Sequence, residues 1–411
     1  MSKLSPTRFK AFLRERNEFS KDGSETLLSV SEYFGVKPRA EAFDDDRQES
    51  RADSLVGYRL VTKGDLVMNY MLAWRGAYGV SDYDGIVSPA YSVFKVDRGK
   101  IESRFLHHRS RSRDMQAIFK QNSRGIMESR LRLYPENLLS IGFDLPPRND
   151  QVSILVFLDR ETGRIDGLIE KKTRFIALLK EKRAAVITYA VTKGIDPDAP
   201  MKDSGVDWLG RVPAHWDVVP PTALFTESKE RAREGDQMLS ATQKYGVIPL
   251  AEYEALEQRQ VTMAVVNLNM RKHVEVGDFV ISMRSMDGGL ERARAVGSVR
   301  SSYSVLKPGA EVEGRFYGAL MKSSLYIQAL RLTSNFIRDG QDLNFGHVRK
   351  VKLPKPDLRE QAAIADHIEA ETARIDGLIT LTERSIDLLR EKRSALITAA
   401  VTGKIDVRAA A

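Results

Sequence analysis

The sequence predicts an α+β protein of two strand-rich domains, each running into a long coiled-coil helix, built by internal duplication with a pseudo-two-fold relation between the halves. Three observations carry that prediction. A long repeat lies in the chain, a heptad of apolar residues lies inside the repeat, and turn-then-strand signals precede each copy.

The repeat comes first, because a missed repeat misreads a whole fold. Residues 161–196 match residues 371–406 at a constant offset of 210, with 23 of the 36 positions identical. Thr162, Arg164, Ile165, Asp166, Gly167, Leu168 and Ile169 recur as Thr372, Arg374, Ile375, Asp376, Gly377, Leu378 and Ile379. Glu181-Lys182-Arg183 recurs as Glu391-Lys392-Arg393. Fainter matches precede each copy: Gly35-Val36 with Gly246-Val247, Gly64-Asp65 with Gly277-Asp278, Arg104-Phe105 with Arg315-Phe316, and Pro146 and Gln151 with Pro356 and Gln361. A period of this length marks duplicated domains, not a solenoid. The segments are 1–144 and 201–355 for the diverged domains, 145–200 for the first long helix with its linker, and 356–411 for the second.

The near-constant segments read as helices. No Pro falls between Asp150 and Thr192, and Ile165, Ile169, Ile176, Leu179, Val186 and Ala190 share one three-four register. Ile375, Ile379, Ile386, Leu389, Leu396 and Ala400 repeat it. That spacing is an a/d seam with a period near 3.5 residues. Leu168, Leu178, Ile187 and Val191, with their counterparts, widen the stripe beyond a two-helix seam. Lys172 or Thr382, and Arg183 or Arg393, interrupt it. Their stems can lie over the seam with the charges in water, or the polar groups can fix register or partner. Gly167 and Gly377 sit inside the helices at a cost of about 1 kcal/mol each relative to Ala, which close backbone packing between helices would justify. Gly194 and Gly403 fit the helix ends. A helix of roughly 40 residues is on the order of 60 Å long. Neither domain can bury that alone, so the other copy is the natural partner.

The diverged domains read as strands, then a helix, then strands. Gly64 to Met68 and Gly277 to Ile281 are turns followed by strands. Tyr91 to Phe94 and Tyr303 to Leu306 are further strands, and Arg104 to Phe119 and Arg315 to Leu330 are helices. The linker from Ile195 to Pro221 carries five Pro, and its Trp208 and Trp216 mark it as packed onto a domain.

Composition narrows the function. Lys and Arg total 64 against 56 Asp and Glu, a net charge of +8. That modest excess suits a nucleic-acid partner without establishing one. The chain has no Cys, so disulfides and thiolate metal sites are excluded. A polar, basic start and the lack of a long apolar run predict a cytoplasmic protein with no membrane partner. No phosphate-cradling G-x-x-x-x-G-K-[ST] loop is present. The acidic-or-Asn-Pro-Pro-aromatic pattern of an amino-methyltransferase is absent too: Pro146-Pro147 is followed by Arg148, and Pro220-Pro221 by Thr222. The six His lack metal-ligand spacing, so no metal site and no catalytic residue is expected. His107-His108 reads as a solvated helix face or a phosphate contact, and Asp44-Asp45-Asp46 as a solvated acidic loop.

Together these features resemble the specificity subunit of type I restriction–modification systems. The wording is close at Leu27 to Tyr33 with Gly35 to Arg39, at Gly64 to Val67, at Ala73 to Ala77, and at Tyr83 to Tyr91. It is close again at Leu353-Pro354 through Arg359-Glu360-Gln361, Ile364-Ala365 and Ile375-Asp376, and in the connector Ser204 to Pro220. The similarity covers nearly the whole chain. Two departures stand out: no counterpart of Trp208 to Trp216 precedes the first domain, and Arg148-Asn149-Asp150-Gln151 replaces the form Leu358-Arg359-Glu360-Gln361.

The resemblance implies two target-recognition domains, each reading half of a bipartite site in double-stranded DNA, joined by antiparallel helices acting as a rigid spacer. It implies two modification (methyltransferase) subunits on the helices, carrying S-adenosylmethionine and methylating adenine. It also implies a restriction (motor-nuclease) subunit using ATP and Mg. This chain would hold no cofactor and would not itself be an enzyme. DNA repeats every ~34–36 Å, a separation that a stiff helical pair can set. Base reading favours Arg on guanine and Asn or Gln on adenine. The candidate readers are therefore Trp74, Arg75, Asn122, Ser123 and Arg124 in the first domain, and Arg284, Arg292, Arg294, Asn335 and Arg338 in the second. Each could instead touch only phosphate or water. The helix-pair and partner interface is assigned to Ile165, Ile169, Ile176, Leu179, Val186, Ile375, Ile379, Ile386, Leu389 and Leu396. The competing readings are a coiled-coil assembly scaffold that never touches DNA, and a methyltransferase acting alone.

Overall fold

A computed structural model describes residues 6–42, 54–127, 130–261, 270–282, 285–333 and 343–407. They form two compact units, residues 1–172 with 384–411 and residues 173–383. Each unit thus holds one strand-rich domain, part of the long helix that follows it, and part of the other long helix.

In the first unit, β1 (Thr7–Arg8), β2 (Leu13–Glu15), β3 (Leu28–Ser31) and β4 (Gly35–Pro38) precede the short α1 (Arg39–Ala42). Then follow β5 (Arg59–Val61), β6 (Leu66–Met68), β7 (Tyr78–Val80), β8 (Gly85–Val87) and β9 (Ser92–Val96). Next come α2 (Ser103–Ser110), α3 (Arg113–Gln121), α4 (Pro135–Ser140) and β10 (Gly142–Phe143), and then α5 (Arg148–Lys193). The main sheet is antiparallel in the order β2-β9-β6-β7. Its two faces bury separate clusters. Phe9, Phe12, Phe94, Phe105 and Phe119 pack with Leu155 and Leu158 of α5, and Val30, Val61, Val67 and Val93 form the other.

The second unit repeats this plan. The connector supplies β11 (Met201–Asp203), β12 (Arg211–Pro213) and β13 (Asp217–Val219). The domain holds β14 (Phe225–Ser228), β15 (Leu239–Thr242), β16 (Gly246–Pro249), α6 (Leu250–Glu257), β17 (Lys272–Val274) and β18 (Phe279–Ile281). It continues with α7 (Ser285–Gly288), β19 (Glu291–Arg292), β20 (Gly297–Val299), β21 (Ser304–Pro308), α8 (Gly314–Met321) and α9 (Ser324–Thr333). α10 (Phe345–Val348) and β22 (Leu353–Lys355) lead into α11 (Leu358–Val401). The sheet order β14-β21-β18-β19 is that of the first unit. Trp216 is fully buried, and Trp208 packs against the same core as Leu209 and Val212, so the connector is docked.

The expected Gly-Asp turns have a physical basis in both units. Gly64 and Gly277 take φ of 94° and 95°, where a Cβ is strained. The following carboxylates close each turn: Asp65 accepts from the Thr62 N–H, and Asp278 from the Glu275 N–H. Burial raises the pKa of both carboxylates, against the hydrogen bond each accepts.

One expectation is corrected in both halves. The single helices predicted from Arg104 and from Arg315 are each broken in two, after Ser110 and after Met321. At each break a serine hydroxyl turns back on the chain, Ser112 Oγ to the Arg109 carbonyl and Ser323 Oγ to the Leu320 carbonyl. Such local bonds compete with helix continuation.

Candidate nucleic-acid interface

Each domain is locked to the helix that follows it by the same buried glutamine. Gln151 and Gln361 are both fully buried. Gln151 Oε1 accepts from the Glu102 N–H at 2.8 Å, and its Nε2 donates to the Pro146 carbonyl at 2.9 Å. Gln361 Oε1 accepts from the Glu313 N–H at 2.8 Å, and its Nε2 donates to the Pro356 carbonyl at 2.8 Å. The Arg148-to-Gln151 wording therefore keeps these two bonds, to which Gln361 Nε2 adds a third, to the Glu311 carbonyl at 3.1 Å. A second tie repeats beside it, Arg104 with Asp159 and Arg315 with Glu369.

Within each unit the two long-helix segments run antiparallel. Arg393 Nε binds Asp166 Oδ1 at 2.9 Å in the first unit, and Arg183 Nε binds Asp376 Oδ1 at 2.9 Å in the second. The seam arginines thus make ion pairs across the helices. Ile165, Ile176, Leu179, Ile375, Ile379 and Ile386 are buried, and Ile169, Val186, Leu389 and Leu396 are half-buried. Thr382 is buried with its hydroxyl donated to the Leu378 carbonyl. The widening residues divide. Val191 and Val401 are buried, whereas Leu168, Leu178, Leu378 and Leu388 stay exposed, as do Phe175 and Leu381. Close packing as the reason for Gly167 and Gly377 is not borne out: a Cβ at either would meet nothing within 4 Å.

Trp74 and Arg75 lie on a turn of 3-10 helix, Ala73–Arg75, packed against α3. The Lys120 ammonium sits 5.6 Å from the Trp74 ring centre and the Arg75 guanidinium 5.8 Å. Arg75 also pairs with Glu32 at 2.9 Å. Asn122 and Ser123 follow α3, and both side chains are spent on its end: Asn122 Nδ2 donates to the Ile118 carbonyl and Ser123 Oγ to the Phe119 carbonyl. Arg124 is exposed and begins a loop. The α3 end thus gathers Trp74 and Arg75 beside the 122–124 segment.

In the second domain Arg292 and Arg294 are exposed and line one cleft of about 200 Å³ with Lys244 and Lys322. Among the described residues, neither guanidinium has a hydrogen-bond or ion-pair partner. Below them Glu291 is almost fully buried and pairs with Lys322 at 2.7 Å. Burial raises its pKa, against the attraction of Lys322. Arg284, Asn335 and Arg338 lie outside the described residues, as does Asp44-Asp45-Asp46.

His107 and His108 are half-buried, not a solvated face. Burial, helped by neighbouring positive groups, pulls them down to about 3 and about 4, so both are neutral near pH 7 and neither offers a phosphate a full charge. The His107 Nδ1 accepts from the Val80 N–H at 3.3 Å.

A cluster that sequence reasoning missed lies in the second unit. His273 is fully buried, with Nδ1 2.9 Å from Asp236 Oδ2 and Nε2 2.8 Å from Glu275 Oε1. Burial opposes its charge, but the bonds to Asp236 and Glu275 outweigh that and raise its pKa. Arg233 holds Glu275 and Glu230 in turn. No local signal marks this group, because Asp236 lies 37 residues from His273.

Among the described residues no group of three or more His, Asp or Glu side chains is arranged to hold a metal ion, the His273 cluster included. No helix there is long and apolar enough to cross a membrane.

With this geometry in place, the relatives are informative. No family model matches the chain. It is 22% identical over 375 residues to a Methanocaldococcus jannaschii protein described as the type I restriction enzyme MjaX specificity subunit, spanning 88% of this chain and 83% of that one. Over most of its length the chain is thus similar to a type I restriction enzyme specificity subunit. Its fold agrees. A solved chain from work on complex assembly and conformational transition of the type I R-M system superposes with a TM-score of 0.64 at 15% identity, covering 98% of each chain. The HsdS subunit from Thermoanaerobacter tengcongensis superposes with a TM-score of 0.52 at 16% identity, covering 98% of this chain and 97% of that one. The α+β architecture of two strand-rich domains with paired long helices is therefore the fold of these solved chains.

Proposed function

We propose that this chain is the DNA-reading, non-catalytic subunit of a type I restriction–modification complex, with each strand-rich domain reading half of a bipartite target. The observation that carries the reading is the contrast inside each unit. The scaffold is repeated, down to the buried Gln151 and Gln361 and the crossed pairs Arg183–Asp376 and Arg393–Asp166, while the loops around Trp74, Arg124 and Arg292 differ. A framework kept constant under changing loops suits two readers of different sequences.

The reading assigns Trp74, Arg75 and Arg124 to the first half-site, and Arg284, Arg292, Arg294, Asn335 and Arg338 to the second. Asn122 and Ser123 support the Arg124 loop and offer their remaining polar atoms. Exposed Leu168, Phe175, Leu178, Leu378, Leu381 and Leu388 on the long helices receive two methyltransferase subunits. S-adenosylmethionine belongs to those subunits, and ATP and Mg to a motor-nuclease subunit, so methyl transfer and cleavage lie outside this chain. The site of action is the cytoplasm.

Two measurements test this. Duplex binding by the assembled complex should weaken steeply with salt, as phosphate contacts require. Methylome sequencing of cells with and without the chain should reveal one bipartite adenine-methylated motif that vanishes with it. A DNA-free scaffold would give no salt-dependent duplex shift, and methyl transfer by the purified chain alone would replace the reading with that of an enzyme.

A further inference from the structure

The loop after α3 carries a feature that the assigned readers do not use. Its base is fixed: the Arg124 N–H donates to the Arg132 carbonyl and the Arg132 N–H to the Arg124 carbonyl, both at 2.9 Å. The Leu133 N–H donates to the Tyr70 carbonyl, and Leu133 is fully buried. The Tyr70 and Tyr134 rings stack behind it at 5.9 Å, and the Arg132 guanidinium lies 5.7 Å from the Tyr70 ring centre. On this base Ile126 stands 104% exposed and Met127 57% exposed. Among the described residues, the Arg124 and Arg130 guanidiniums beside them have no hydrogen-bond or ion-pair partner.

A single exposed apolar side chain needs no explanation. Two adjacent in one anchored loop, with three arginines in the same loop, call for a surface that is apolar at its centre and anionic at its margins. A duplex has that layout, with stacked bases between two phosphate rows. Side chains such as Ile and Met enter base steps in this way, part the stack and bend the DNA, while arginines hold the backbone. An apolar pocket on a protein would satisfy Ile126 but not the arginines. Glu136 is the acid beside them among the described residues lining this part of the surface, and Glu128 follows Met127 in the sequence, so three arginines outnumber two carboxylates.

We propose that Ile126 and Met127 form a wedge that enters a base step in the half-site read by the first domain, with Arg124, Arg130 and Arg132 straddling its phosphates. This rests on the DNA-reading function proposed above. The test uses the complete complex with its modification subunits and a duplex bearing the motif defined by methylome sequencing. 2-Aminopurine is placed at each step of the first half-site in turn. Apart from the rise at the target adenine that base flipping by the modification subunits gives, wild type should raise the fluorescence several-fold at one further step. Ile126→Ser with Met127→Ser should abolish that rise and weaken specific binding by about tenfold with the salt slope unchanged. Arg124→Gln with Arg130→Gln should lower the salt slope by about 2 and keep the rise. Both pairs are exposed, so folding is spared. Equal fluorescence and affinity for wild type and the serine variant would overturn the wedge while leaving DNA reading intact. Loss of a partner subunit in the serine variant would reassign the tip to a protein contact. No specific duplex binding by wild type would overturn the underlying reading as well.

Discussion

The two units share strand order and differ at the contact between the edge of the main sheet and the helix over it. In the first unit β7 pairs Val80 with Leu66 and Gly79 with Val67, and in the second β19 pairs Arg292 with Phe279 and Glu291 with Val280. Val80 thus corresponds to Arg292, and Gly79 to Glu291. Across from them, His107 and His108 of α2 correspond to Gly318 and Ala319 of α8. In the first unit His107 fills the space over Gly79, where a Cβ would lie 3.3 Å from the ring. In the second, the bulk has moved to the strand, and the Arg292 side chain lies over Gly314, whose Cβ would meet its Nε at 2.7 Å. The cation that ends each helix follows suit. Arg111 donates to the carbonyls of Gly76, Tyr78 and Glu32. Lys322 donates to the Gln243 carbonyl and neutralises Glu291. Volume and charge were exchanged across one interface while the Gln and Arg ties to the long helices stayed fixed. The framework therefore tolerates drift that is compensated in place, as close packing demands.

The comparison can be broken most violently at the feature both units share. Leu179→Asp with Leu389→Asp places a carboxylate in each helix seam, costing several kcal/mol per site. Assembly with partner subunits should be lost, as read by native mass spectrometry. An intact complex would show that the seam carries no interface.

A pH titration sharpens the difference between the units. His107 and His108 have depressed pKa values, so their contribution is present above the ordinary pKa of about 6.5 and is lost as pH falls toward about 4 and about 3. His273 has a raised pKa, so its contribution is full below about 6.5 and is lost as pH rises through the folded value. Hydrogen exchange should therefore quicken in the β7–α2 region on acidification, by a free energy on the order of a few kcal/mol. Around β17 and β20 it should quicken on alkalisation. His107→Ala with His108→Ala should flatten the first response. His273→Leu, which copies Leu60 of the first unit, should flatten the second. Parallel responses in both regions would remove the distinction.

The shared glutamine tie offers a smaller and symmetrical effect. Gln151→Ala leaves the Glu102 N–H and the Pro146 carbonyl unpaired, and Gln361→Ala leaves the Glu313 N–H and the Pro356 and Glu311 carbonyls, at about 1–3 kcal/mol. Both should lower the melting temperature of the full chain similarly, by calorimetry. A large drop for one alone would mean that the two ties are not equivalent.

Much of this was legible from the residues. The ungapped repeat, the seam from Ile165 to Val186 and the Gly-Asp turns are local patterns, and the fold follows from them. The breaks at Ser112 and Ser323 were not legible, because a serine in a helical pattern is neutral until its hydroxyl turns back. His273 was opaque for a different reason: Asp236 comes to it from 37 residues away in the sequence. Among the reading candidates, sequence could find polar loops but not what each side chain touches. Asn122 Nδ2 and Ser123 Oγ bond the end of α3, whereas the Arg292 and Arg294 guanidiniums stand without partners among the described residues, and neither pattern is written in the sequence. The exposed Ile126 was missed because one apolar residue in a basic loop gives no periodic signal.

The most direct test of the central claim is an exchange of residues 201–355 for the corresponding domain of another such subunit, read by methylome sequencing. A motif altered in one half and preserved in the other is the expected result. A change in both halves, or in neither, would contradict the assignment of one reader to each domain.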